Sequence, residues 1–72
     1  MHRYVVLADR VKGFDTWEEA EAYTRANYPA VLCERRQQGG ESQLVEIARN
    51  DFLFDRQRAE WRVFFERRVV SP

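Results

Sequence analysis

Cysteine, histidine, serine and glycine are scarce in this 72-residue chain, and each scarcity removes a class of function. Cys33 is the only cysteine, so no disulfide can close within the chain, whereas small secreted domains normally carry several. His2 is the only histidine, and one Cys with one His cannot complete a structural zinc site. Serine occurs only at Ser42 and Ser71, which leaves little from which to assemble nucleophile, base and orienting group. The three glycines, Gly13, Gly39 and Gly40, form neither a dinucleotide-binding fingerprint nor a phosphate-binding loop. The one reactive pair worth testing is His2 with Cys33, which could meet if the first strands lie side by side. A lone cysteine on a strand is more commonly a packed, inert thiol. No catalysis, cofactor or metal is expected.

Long apolar runs are missing too. Tyr4-Val5-Val6-Leu7-Ala8 is the start of a core strand and too short for the apolar region of a signal peptide. Nothing approaches the roughly 20 apolar residues of a membrane span. No membrane partner is expected, and the cytoplasm is the expected location.

Lysine is nearly absent as well. Lys12 stands against eleven arginines, eight of them from Arg35 onward. Net charge is zero, so no global field draws in nucleic acid or an anionic surface. Met1 to Glu34 carries net −2 and Arg35 to Pro72 net +2. The arginines of the second half are interleaved with Phe52, Phe54, Trp61, Phe64 and Phe65. A guanidinium pairs bidentately with carboxylate or phosphate and stacks on aromatic rings. Codon usage is the competing explanation for such a bias; a binding surface is the functional one.

A chain this short makes one domain, residues 1–72, around one core. Thr16-Trp17-Glu18-Glu19 fits a capping box, and the carboxylates of Glu18, Glu19 and Glu21 favour the positive end of a helix. The helix should run from about Thr16 to Asn27, ended by Pro29. Asp9 to Gly13 reads as a connection. Ala30 to Arg36 and Gln43 to Arg49 read as strands around a Gly39-Gly40 turn. That turn sets Arg35 opposite Leu44, Cys33 opposite Glu46 and Val31 opposite Ala48, with Leu32 facing Ile47 and Glu34 beside Val45. Asn50 to Gln57 either extends this strand or forms its own. Trp61 to Val70 alternates as a strand, with a helix over Asp55 to Arg68 as the rival. The expected fold is α+β, order β-α-β-β-β, a small mainly antiparallel sheet with one helix on one face. Trp17, Ala20 and Tyr23 should pack on Leu32, Val45, Ile47, Trp61, Val63 and Phe65.

One short helix covers one face of a sheet, yet apolar residues fall on both. The outer face should carry Val31, Cys33, Leu44, Ala48 and Phe64 among Arg35, Glu46, Arg62, Glu66 and Arg68. Aromatics and arginine are enriched at binding interfaces. The expected function is that of a small non-enzymatic interaction domain. Its partner-binding residues would be Arg35, Arg62, Phe64, Arg68, Glu46 and Glu66, and its partner another protein or a second copy of the chain. One alternative is a single-stranded nucleic-acid platform using the same side chains, and the zero net charge stands against it. The other is a closed monomer in which the C-terminal segment folds over the outer face.

Overall fold

A computed structural model describes residues 1–68. The elements are β1 (Tyr4–Leu7), β2 (Val11–Phe14), α1 (Trp17–Ala26), β3 (Ala30–Gln38), β4 (Glu41–Asp55) and β5 (Glu60–Arg67). All five strands pair antiparallel in one open sheet, in the order β2-β1-β3-β4-β5. The chain is thus a small α+β fold of order β-β-α-β-β-β. The expected connection after β1 is in part a strand: β2 turns back on β1, with Val5 opposite Gly13. The last strand was expected to reach Val70; Val69 and Val70 lie outside the described residues.

Helix α1 starts as its sequence dictates. Thr16 is the N-cap, its hydroxyl accepting from the Glu19 N–H at 3.3 Å and donating to the Glu19 carboxylate at 2.9 Å. The cap gives the Glu19 N–H, which has no acceptor within the helix, a partner. The helix turns Ala20 and Thr24 into the core. Trp17 is half-buried, set edge-on to Tyr4 with ring centres 6.1 Å apart. At its C-terminal end the helix is held by the sheet. The buried Asn50 amide of β4 donates to the carbonyls of Thr24, Arg25 and Asn27 at 3.0, 3.3 and 3.1 Å.

The β3–β4 hairpin follows from its glycines. Gly39 and Gly40 both have positive φ, +60° and +81°. A two-residue turn of this kind matches strand twist and suits residues without a Cβ. The turn fixes Arg35↔Leu44, Glu34↔Val45 and Cys33↔Glu46, as expected. A bulge between Leu32 and Cys33 then shifts the register, so that Leu32 pairs with Ala48 and Val31 with Arg49. This corrects the expected pairs Leu32–Ile47 and Val31–Ala48. Ile47 is the extra residue, and both it and Ala48 join the core on the helix side. Ala48 therefore leaves the outer face.

The core is small. Its buried members under the helix are Tyr4, Val6, Ala20, Ala30, Leu32 and Ala48, with Trp17, Tyr23, Ile47, Phe14 and Phe65 packed around them. Val45 was expected there and is half-buried outside this cluster; Trp61 and Val63 were expected there too and are not. Trp61 is 70% exposed and Val63 44% exposed. The reason is length. A 10-residue helix spans roughly 15 Å, whereas 15-residue β4 spans roughly 50 Å. The chain measures 47 × 24 × 19 Å, and the distal β4–β5 hairpin extends past the helix.

Candidate interaction surface

The site is built on the outer, helix-free face of β3, β4 and β5. Side chains alternate across a strand, and directly paired residues point to the same side. Leu32, Ala48 and Phe65 point to the helix. Cys33, Arg35, Glu46, Arg62, Phe64 and Glu66 therefore point away from it. All six expected contact residues, Arg68 included through its 2.7 Å bond to Glu46, lie on this face. They are not one cluster. Arg35 pairs with Leu44 and Phe64 with Asp51, and the step from Leu44 to Asp51 is roughly 20 Å at about 3.3 Å per residue. Arg35 donates instead to the His2 carbonyl at 3.0 Å and to Ser42 at 3.4 Å, bracing the hairpin against the segment before β1.

The remaining five form a band along β4 and β5. Glu46 accepts from Arg49 at 2.8 Å and from Arg68 at 2.7 Å. Asp55 pairs with Arg62 at 3.4 Å. The Arg58 backbone N–H, with that of Gln57 and the Arg62 guanidinium, holds the Asp55 carboxyl below the usual carboxylate range. Between the two ion-paired groups lie Phe64, 52% exposed, and Leu53, 58% exposed. Both line the same shallow depressions, one shared with Arg62 and Asp55, the other with Arg49 and Glu66.

Leu53 belongs to this exposed band and was absent from the expected set. Its signal was the apolar run Phe52-Leu53-Phe54, which follows Arg49 with no glycine or proline between and continues β4 to Asp55. Phe52, Phe54, Trp61 and Val63 were missed as exposed residues too. They occupy the helix side of the same projecting hairpin, where Phe54 meets Trp61 and Tyr28 meets Phe52 with ring centres 5.3 and 5.4 Å apart. Among the described residues, six of the eleven exposed large apolar side chains thus belong to this one hairpin.

The other candidates are engaged elsewhere. His2 bonds Asp15 at 2.9 Å and rests against Gly13. Cys33 is buried on β3 between Val5 and Glu46, and burial, with the Glu46 charge, pushes its thiol pKa up. Its reactive thiolate is therefore disfavoured at neutral pH. A second cleft, between the start of α1 and the sheet, gathers Arg3, Arg36 and Arg67 around Glu34 and Trp17. Its guanidiniums already have partners. Arg36 and Arg3 hold Glu34 at 2.8 and 3.1 Å, and Arg67 lies 4.5 Å over the Trp17 ring.

These two arginines, Arg36 foremost, keep the Glu34 carboxyl below its ordinary range. A carboxyl with a lowered folded-state pKa adds stability above its unfolded value of about 4.3, lost as pH falls through the folded value. Glu34→Gln should therefore flatten the acid limb of melting temperature against pH and leave its slope near neutrality unchanged. An unaltered acid limb would show that other carboxylates control it.

Among the described residues no helix is long and apolar enough to cross a membrane. Comparison of the chain with protein-family models, curated proteins and solved structures yields no match.

Proposed function

We propose that this protein is a protein-interaction module whose contact surface is the outer face of the β4–β5 hairpin. The observation that carries this reading is the pair Phe64 and Leu53. Both are about half exposed, at the centre of a band whose two ends are fixed by ion pairs. The apolar centre supplies contact area, and the charged ends supply orientation. β5 extends the sheet beside β4, so Phe64 keeps its outward aspect. Against a nucleic-acid platform stand the zero net charge and the carboxylates Glu46, Asp55 and Glu66 interleaved with the arginines of this face.

A photo-crosslinking side chain in place of Leu53 tests this in the cells that make the protein. Adducts to protein are expected, and Phe64→Asp in the same chain should suppress them. Adducts that persist with Phe64→Asp, or that form only with nucleic acid, would contradict the reading.

A further inference from the structure

We infer that the partner is a second copy of this chain, joined edge to edge through β5 about a two-fold axis at Phe64. This rests on the β4–β5 hairpin being the contact region, with the outer-face side chains Arg62, Phe64 and Glu66 taking part, and goes beyond it in naming the occupant, the edge and the register.

The sheet has two edges. β2 is four residues long and contains Gly13. β5 is eight residues long, pairs with β4 in unbroken register, and contains neither proline nor glycine. Among the described residues no strand covers its far side. A long, regular, uncovered edge of this kind is a template for another strand.

Its side chains specify which strand. Along the outer face the positions run Glu60, Arg62, Phe64, Glu66, Arg68. A two-fold axis perpendicular to the sheet keeps the faces of the two copies aligned and runs the strands antiparallel, the isologous arrangement. Centred on Phe64, it sets Glu60 opposite Arg68 of the second copy and Arg62 opposite Glu66 of the second copy. Each pair occurs twice by symmetry. All four outer charge pairs are then of opposite sign, with the two Phe64 rings meeting at the axis. Moving the register by one pair either way destroys this. One direction opposes Glu60 to Glu66, and the other opposes Arg62 to Arg68. Like charges directly across a pair of strands are destabilising, so the pattern selects one register.

The helix side agrees with the same register. Val63 falls opposite Phe65 of the second copy. Trp61, the most exposed apolar side chain of the hairpin at 70%, falls opposite Arg67 of the second copy. In each chain that guanidinium already lies over a tryptophan, Trp17. The projecting hairpin of one copy thereby lies along the helix-covered body of the other, where its uncovered apolar residues find neighbours. Glu66 makes no ion pair among the described residues, and it is the carboxylate this register gives to Arg62.

Two single variants, Arg62→Glu and Glu66→Arg, test this by sedimentation velocity, alone and mixed in equal amounts. Each variant alone sets like charges across both central pairs, and its self-association should weaken about tenfold or more. In the mixture both pairs become opposite in sign again, so dimers of one copy of each should form with an affinity near that of the unaltered protein. Positions 62 and 66 lie roughly 13 Å apart along one strand, so this recovery cannot arise within a chain. Singles that dimerise like the unaltered protein, or a mixture no tighter than its components, overturn the inference. So does an unaltered protein that stays monomeric. Protein adducts at Leu53 that still depend on Phe64 would then leave the outer face standing as the contact surface for another protein. Loss of those adducts as well would remove both.

Discussion

Leu32→Ala is expected to lower the melting temperature by about 20 °C and to leave little folded protein at physiological temperature. Leu32 is fully buried in the central strand β3, under the helix and between Val6 of β1 and Ala48 of β4. Removing a leucine side chain from such a place costs about 3–5 kcal/mol, the transfer term plus the cavity. A domain of this size has only about 5 kcal/mol to lose. Relaxation into the hole is limited by the neighbours. Ala20, Ala30 and Ala48 are too small to reach across it, and Val6 is fixed by pairing on both sides. Leu32→Met keeps the volume and should stay within about 1.5 kcal/mol of the natural protein. A fall of less than 5 °C for Leu32→Ala, followed by circular dichroism, would place the stabilising core elsewhere.

Asn50→Asp should be nearly as damaging, and its damage should depend on pH. The Asn50 amide is 2% exposed and gives its hydrogens to three carbonyls at the end of α1. A carboxylate there would face carbonyl oxygens at the negative end of the helix, buried and without a donor. The expected cost at pH 7 is at least about 3 kcal/mol. Such a carboxyl has a folded-state pKa raised above its unfolded value, so the variant should regain stability as pH falls from 7 towards 5. That is opposite in sign to the acid sensitivity expected from Glu34. Asn50→Leu lacks the charge and should lose stability with no such pH dependence. A variant Asn50→Asp whose melting temperature is unchanged between pH 7 and 5 would mean that water reaches this helix end.

Local chemistry made half of this fold legible. The Thr16–Glu19 box fixed the helix start, and the double glycine fixed the hairpin register as far as Cys33 and Glu46. Beyond that point an inserted residue, Ile47, moved every later pairing by one. Sequence alternation cannot show a bulge when both residues it turns inward, Ile47 and Ala48, are apolar. β2 escaped notice because Val11-Lys12-Gly13-Phe14 is short and lacks alternation. Its pairing comes from β1 already lying beside it. The outer-face set was readable because alternation alone places Arg62, Phe64, Glu66 and Arg68 on one side. What alternation could not supply was distance, which separates Arg35 from the rest, and coverage. A three-turn helix cannot shield a hairpin of β4's length, and this is why Trp61 and Val63 stand in the open.

The same mismatch explains why more large apolar side chains are exposed than buried among the described residues, with Phe64 and Leu53 among the exposed ones. Pairing through β5 would set Trp61, Val63 and Phe64 against side chains of the second copy without changing the fold of either. Sedimentation equilibrium of the unaltered protein over a wide dilution range tests this most directly. The account predicts a species of twice the 8.7 kDa chain mass that dissociates on dilution. A single 8.7 kDa species at every concentration would contradict it.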